Sequence, residues 1–295
     1  MKALVTGGAG FIGSHIVDLL IESGHEVIVL DNLSSGKIEN LNKKADFVEM
    51  DLLSDQIVWN DGRSIYFKDI NVVFHTAAMP RVQPSIEDPL RSNQQNVDAT
   101  LKVLECCRKN GVRRLVFSSS SSVYGDAEML PTDELCPTCP MSPYALQKLV
   151  GEQYCKLYST IYGLETVCLR YFNVYGERMS DDDLAYSTVI SVFNKQKSQG
   201  LPLTVNGTGE QRRDFTYVKD VAKMNLIAME HQDLGNGEII NVGSGKNHSV
   251  NEVAEKFNSE IVYRPVVLEP KKTLSCIDKA NSLGWCPSVD LMDWL

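Results

Sequence analysis

Residues 2–32 read KALVTGGAGFIGSHIVDLLIESGHEVIVLDN, and five signals follow one another there. Residues 3–6 are a short apolar run, the pattern of a buried parallel strand. Gly7, Gly10 and Gly13 then give GxxGxxG. From Phe11 onward, Ile12, Ile16, Leu19 and Leu20 recur at helical spacing. A second apolar run, Val27 to Leu30, ends at Asp31, 18 residues beyond Gly13. A glycine motif alone is weak, but strand, glycine turn, helix, strand and acid in this order predict a dinucleotide-binding unit. The glycines let the backbone approach a pyrophosphate, which sits among the free N–H groups of a helix N-terminus. Asp31 suits adenosine ribose hydroxyls and repels a 2′-phosphate, which points to NAD rather than NADP.

The alternation continues down the chain. Apolar runs at 47–50, 72–75, 114–118 and 166–170 alternate with helical stretches at about 92–110 and 143–162. Repeated alternation of this kind predicts an α/β fold, a Rossmann-type doubly wound parallel sheet with both faces covered. Asp51, just past the third strand, lies where an adenine amino group is held. The fourth strand ends in His75, Thr76, Ala77 and Ala78, small residues suited to a cofactor passing close to the backbone. After about residue 173 the alternation gives way to loops and short elements.

Composition excludes other classes. The chain has 295 residues, 43% hydrophobic and 23% charged, with a net charge of −9. An acidic chain lacks the broad basic surface of a nucleic-acid binder. No window approaches the roughly 18 apolar residues of a membrane span, and Met1 to Thr6 runs straight into the glycine turn without a signal peptide. The expectation is a cytoplasmic protein whose eight cysteines are reduced. Cys136-Pro-Thr-Cys139 has redox or zinc spacing, but no second CxxC or His pair accompanies it, so a loop with two thiols and no metal is expected.

A second motif, SPYALQKLVGEQY, spans residues 142–154. Ser142 as N-cap and Pro143 in the first turn start a helix. Tyr144 and Lys148 then share one face at i and i+4. A tyrosine with its ordinary pKa near 10 is a poor base at neutral pH. A lysine ammonium one turn away and the positive nicotinamide of an oxidised cofactor favour its phenolate, so that Tyr144 can accept a proton.

Together these motifs resemble an extended short-chain dehydrogenase/reductase of the nucleotide-sugar epimerase/dehydratase family. The resemblance covers nearly the whole chain: GGAGFIG (7–13), DNLSSG (31–36), HTAA (75–78), NV (96–97), SSSSSVYGD (118–126), SPYALQK (142–148), RYFNVYG (170–176), QRRDFTYVKDV (211–221) and NVGSG (241–245). Within the family, MPRVQPSIEDP (79–89) and the SxSVYGD–SPYALQK combination are most similar to the branch of UDP-N-acetylhexosamine and UDP-glucose 4-epimerases. The resemblance implies an NAD site formed by Gly7, Gly10, Phe11, Ile12 and Gly13, by Asp31, Asn32, Ser35 and Gly36, and by Asp51 and Leu52. Thr76, Ala77, Ala78, Asn96, Ser118 and Tyr171, with Tyr144 and Lys148, complete it. It also implies an NAD-binding domain over 1–172, to which segments at about 213–243 return, and a smaller interleaved substrate lobe over 173–295. Family members commonly dimerise through two helices of each subunit, here about 92–110 and 143–162. Leu101, Leu104, Leu149 and Tyr154 either form that surface stripe or face the sheet.

The five serines 118–122 carry the reaction type. By resemblance the catalytic hydroxyl lies four residues before Tyr124, at Ser120, where it bonds the sugar O4 and relays its proton to Tyr144. Ser121 is the implied assistant, while Ser118 and Ser119 read as strand-end residues that satisfy backbone or cofactor groups. Family dehydratases carry an Asp-Glu pair directly after this hydroxyl and UDP-glucuronate decarboxylases a Glu. Here Ser121 and Ser122 stand there, and hydroxyls do no general acid–base work at neutral pH. A 4-keto sugar can then only take its hydride back, which implies a UDP-hexose or UDP-N-acetylhexosamine 4-epimerase that recycles tightly held NAD. UDP-glucuronate 4-epimerase, a nucleotide-sugar reductase and a silent NAD-binding regulator are the alternatives.

For the substrate the resemblance implies Arg81, Ser120, Ser121, Tyr144, Asn173, Tyr186, Val189, Arg213 and Thr273. Arg213 pairs with the diphosphate, since a planar guanidinium suits phosphate oxygens; Arg212 is its neighbour and competitor. The family's second diphosphate arginine is replaced by Val266, and of that element only Glu269 is retained. Arg264, Lys271 and Lys272 are the candidate substitutes. Thr273 falls where a residue gates the sugar's 2-substituent, and its small size leaves room for an N-acetyl group.

Overall fold

A computed structural model describes residues 1–57, 63–80, 82–179, 188–266 and 269–295. Seven strands form one sheet: β1 (Lys2–Thr6), β2 (Glu26–Asp31), β3 (Asp46–Glu49), β4 (Val72–His75), β5 (Arg114–Ser120), β6 (Glu165–Tyr171) and β7 (Asn236–Val242). Their spatial order is β7-β6-β5-β4-β1-β2-β3, and every neighbouring pair is parallel. The order reverses between β1 and β4, where the chain leaves β1 towards one edge and β4 continues towards the other. Ligands bind α/β sheets at such a switch point, outside the carboxyl ends of the strands.

Period-two alternation covers both faces. Ala3 and Val5 of β1, Val29, Phe74, Val116 and Val167 pack on one side, under α1 (Phe11–Glu22). Leu4, Leu30, Val73, Leu115, Phe117 and Cys168 pack on the other, under α2 (Ala99–Asn110) and α3 (Pro143–Tyr162). A fully buried Leu, Val or Phe contributes about 1.5–3 kcal/mol, so the two apolar layers dominate the stability of the sheet. Gly151 lets α3 approach closely, because a Cβ there would lie 2.5 Å from Cζ of the buried Phe117 ring. Leu104 is buried in the second layer, with Leu101 and Tyr154 packed against it. Leu149 packs on Val123, Tyr124 and Phe172. Of the four, Leu104 is buried and the other three are half-buried against these neighbours, and the exposed large apolar residues of α3 are Leu146, Leu157, Ile161 and Tyr162.

A fourth helix, α4 (Val218–Glu230), joins α1 on the first face. Its last carbonyls are received by Arg114 of β5, which is 1% exposed. Nη1 donates to Ala228 O (2.8 Å), Met229 O (3.0 Å) and His231 O (2.9 Å), and Nη2 to Leu234 O at 2.5 Å. Helix-end carbonyls lack intrahelical partners and carry partial negative charge, which a guanidinium satisfies on both counts. Beyond β6 come three two-stranded pairings: 174–175 with 216–217, 203–206 with 261–264, and 212–214 with 247–249. No helix among the described residues is long and apolar enough to cross a membrane.

Candidate active site

The glycine turn closes on itself at the end of β1. Gly7 has φ +73°, and a Cβ there would lie 2.7 Å from Ala77 N; one at Gly13 would collide with Gly7 O and the Thr76 hydroxyl. Thr76 Oγ1 donates to Thr6 O at 2.6 Å, which holds the small-residue end of β4 against the turn. Gly10 is the N-cap of α1 and offers no side chain, and no acid stands in the first turn. The N–H groups of Phe11, Ile12 and Gly13 thus face outward at the positive end of the helix dipole, an arrangement that fits a pyrophosphate.

Asp31 ends β2 at the mouth of this turn. Its carboxylate accepts from Ala9 N (3.0 Å) and Leu33 N (2.8 Å). Burial pushes its pKa up, and those two N–H groups pull it back. A Cβ at Gly36 would stand 3.0 Å from both carboxylate oxygens, while Ser35 beside it is exposed. Asn32 Nδ2 donates to Asp51 at 3.1 Å, and Asp51 also accepts from Leu53 N at 2.8 Å. Lys102 of α2 pins this turn through Leu53 O (3.0 Å) and Ser54 O (2.8 Å), a contact the sequence does not announce. Leu52 is buried in the second apolar layer. Asn96 accepts from Met79 N at 2.7 Å and donates to Met79 O and Gln147 Oε1, so its amide clamps the loop after β4 to α3. The residues at the cofactor end of the sheet thus fit a dinucleotide: an uncapped helix start, a cradle without side chains, and an acid at the end of β2.

Helix α3 begins as the motif predicts, with Ser142 Oγ accepting from Ala145 N at 3.2 Å and Pro143 in the first turn. Tyr144 N donates to Ser85 Oγ at 3.0 Å. One turn on, Lys148 is 5% exposed; its Nζ donates to Ser118 O at 2.7 Å and stands 5.8 Å from the Tyr144 ring centroid. Burial lowers its pKa to about 8, opposed by Cys155 and Glu152. His75 is buried at the end of β4 between the hydroxyls of Thr6 (2.7 Å) and Thr100 (2.9 Å), and burial holds it neutral, with a pKa of about 3.

The serines separate by partner. Ser118 Oγ shares a hydrogen bond of 3.1 Å with the Tyr171 hydroxyl, which is also bonded to Asn225. Ser119 Oγ donates to Glu152 Oε1 at 2.5 Å. Ser120 Oγ accepts from Ser122 N at 3.2 Å and so caps the short turn Ser121–Tyr124, at the open end of β5. Ser122 Oγ is buried without a protein partner. Tyr144 and Lys148 share one face of α3, and Lys148 meets the backbone of the strand end that carries Ser120.

On the substrate side, adjacent residues of the 212–214 strand point to opposite faces. Arg212 pairs with Glu252 at 3.0 Å and with Asn247, away from the sheet end. Arg213 pairs with Glu269 at 2.5 Å. Asp214 was missed by sequence reasoning. It is fully buried and accepts from Ser244 N (2.7 Å), Ser244 Oγ (2.7 Å), Gly245 N (3.2 Å), Ser275 N (2.9 Å) and Ser275 Oγ (2.5 Å). Its carbonyl accepts from Asn173 Nδ2 at 2.8 Å, and its N–H donates to Thr273 Oγ1 at 3.1 Å. Asn173, Thr273, Ser275 and the 244–245 loop therefore meet at one residue, which follows Arg213 in the chain. Val189 is half-buried against the first apolar layer at the start of helix 189–198. Val266 is 82% exposed, and Arg264, Lys271 and Lys272 are exposed nearby in the chain. Arg81 and Tyr186 lie outside the described residues. Cys136 is buried and Cys139 exposed, and no cluster of metal-binding side chains occurs among the described residues.

A model of the NAD dependent epimerase/dehydratase family matches residues 3–243. The UDP-glucose 4-epimerase of Mycolicibacterium smegmatis is 38% identical over 99% of this chain and 96% of its own length. The UDP-glucose 4-epimerase of Thermotoga maritima, solved with UDP-glucose, superposes with a TM-score of 0.93 at 38% identity, covering 99% of this chain and 96% of that one. The UDP-N-acetylglucosamine 4-epimerase of Methanobrevibacter ruminantium, solved with UDP-N-acetylmuramic acid, gives a TM-score of 0.90 at 38% identity, covering 98% and 93%.

Proposed function

The chain belongs to the NAD dependent epimerase/dehydratase family, and from that membership we propose that it inverts C4 of a UDP-hexose or UDP-N-acetylhexosamine. One observation carries the reading. The strand that meets Lys148 through Ser118 O ends in Ser120 and continues with Ser121 and Ser122, where an elimination or decarboxylation would need a carboxylate. Tyr144 Oη takes the proton of the C4 hydroxyl, with Ser120 Oγ bridging the two oxygens. The Lys148 ammonium favours the phenolate that does so. C4 is inverted when the keto sugar presents its opposite face before reduction, and the reversible hydride acceptor for both steps would be supplied by NAD. The Gly7–Gly13 turn, Asp31 and the 51–54 turn hold it. Tyr144 then returns its proton to the oxygen of the inverted carbon.

Arg213 and Asn173 hold the diphosphate, Arg213 exchanging Glu269 for phosphate oxygens. Val189 and, outside the described residues, Arg81 and Tyr186 complete the nucleotide-sugar contacts. Thr273 supports acceptance of a 2-N-acetyl group, being small and already bonded back to Asp214 N. The homodimer contact falls on the outer face of α3, at Leu146, Leu157 and Ile161. The test is to incubate the protein with UDP-glucose and, separately, UDP-N-acetylglucosamine, adding no cofactor, and to follow the anomeric protons by NMR. Appearance of the galacto epimer is expected. No change in either sugar, with NAD then supplied, would reject the hexose reading.

A further inference from the structure

Tyr144, Lys148 and Glu152 occupy successive turns on one face of α3, at i, i+4 and i+8. Consecutive residues of β5 meet the last two: Ser118 O receives Lys148 Nζ at 2.7 Å, and Ser119 Oγ donates to Glu152 Oε1 at 2.5 Å. Arg170 of β6 lies opposite Ser119 in the ladder and grips the same carboxylate with two bonds, Nε to Oε1 (2.8 Å) and Nη2 to Oε2 (2.7 Å). Lys148, Glu152 and Arg170 are 5%, 2% and 2% exposed. A buried ion pair gives little net stability over apolar residues of the same size. Stability therefore does not explain why a charged pair stands one turn behind the lysine.

We propose that Glu152, balanced by Arg170, is a positioning residue that keeps the Lys148 ammonium charged at the end of β5. The proposal rests on the reading of Lys148 as the partner of Tyr144. The groups that face Lys148 are few. Tyr144, Glu152 and Cys155 come from its own helix. Phe117, with its ring centroid 5.0 Å from Nζ, and Ser118 O come from β5. His75 comes from β4 and is neutral, and Arg170 acts from β6 through Glu152. Glu152 is the carboxylate of this set. Burial pulls the lysine down, and Glu152, with Cys155, works against that. Without the carboxylate, Lys148 would lose its proton at lower pH and the phenolate of Tyr144 would lose its support.

Charge and structural damage predict different signs, which makes the test sharp. Lysine labelled with 13C at Cε in the full chain is titrated by NMR, and Lys148 is assigned by loss of its signal in Lys148→Arg. In Glu152→Gln the midpoint should fall by about one pH unit; in Arg170→Met, which leaves the carboxylate uncompensated, it should rise by about as much. The double variant leaves no unpaired buried ion and should titrate close to the parent, which keeps the reading accessible if a single variant does not fold. Loosening of the core would hydrate Lys148 and raise its midpoint in both single variants. That result, or no shift in either, would overturn the proposal. The titration needs no substrate. Opposite shifts in a protein that turns over no UDP-sugar would uphold the charge relation and reject the epimerase reading instead. Where turnover is seen, the alkaline limb of kcat should move with the NMR midpoint.

Discussion

Two buried carboxylates organise this molecule, and they are built differently. Glu152 sits on a helix and faces a guanidinium, and its partners lie on two adjacent interior strands. Asp214 has no such counter-charge among its bonded partners: it is received by five N–H and O–H donors from the loops around residues 244 and 275. The first joins regular elements that pack on apolar layers and would hold their places without it. The second gathers loops of little regular structure, at residues 244–245 and 275, while the backbone of the same residue bonds Asn173 and Thr273. The proposed chemistry is preformed on the sheet, whereas the proposed substrate grip is assembled around one residue, through both its carboxylate and its backbone.

Removing the proposed base tests the preformed half most severely. Tyr144→Phe should lower kcat by about 10²–10⁴-fold while KM stays near the parent value, as measured by initial rates with UDP-glucose. Asp214→Asn breaks the assembled half. Losing hydrogen bonds to a buried charge should raise KM about 10- to 100-fold, with kcat and bound NAD little changed; an equal fall in kcat would show that the two halves are not separable. Arg213→Gln touches only the grip and should raise KM about tenfold through loss of a charge-assisted bond, read in the same assay. The effect on the sheet shows in stability and not in turnover. His75 binds its proton in the folded chain only near pH 3, against 6.5 when unfolded. The unfolded chain therefore takes up a proton that the folded one does not, and stability present above pH 6.5 is lost as pH falls towards 3. The slope is about 1.4 kcal/mol per pH unit from this one group, and His75→Gln should remove it from urea unfolding curves between pH 4 and 6.

What the sequence shows of this site is what lies along the chain. GxxGxxG, Asp31 and the i, i+4 pair Tyr144 and Lys148 are local spacings, and the structure keeps each in its expected element. The strands at 72–75, 114–120 and 165–171 follow apolar runs in the same way. Glu152 was legible in principle, since it repeats the four-residue step from Lys148. Its meaning was not, because Arg170 reaches it only through the β5–β6 register. Asp214 reads as one letter of RDF; that it gathers residues 173, 244 and 275 is set by how three distant segments meet. The inward packing of Leu101, Leu104, Leu149 and Tyr154 was likewise ambiguous, because a two-sided helix shows the same period whichever side meets the sheet.

Arg114 and β7 give the fold a direction in time. The guanidinium that β5 buries meets Glu165 of β6 through Nε (2.8 Å), but its two Nη groups bond carbonyls of residues 228–234, and residues 236–242 cover the open edge of β6. A ribosome that has released the first 172 residues has made the Tyr144–Lys148 helix and six of the seven strands, yet holds a chain whose buried guanidinium keeps its bond to Glu165 but lacks acceptors for both Nη groups, beside a bare strand edge. The nucleotide half is thus not an early, self-sufficient folding unit. It matures only after more than sixty further residues have emerged, among them Arg213 and Asp214, so that the sheet and the segment proposed to grip the substrate reach their final form together.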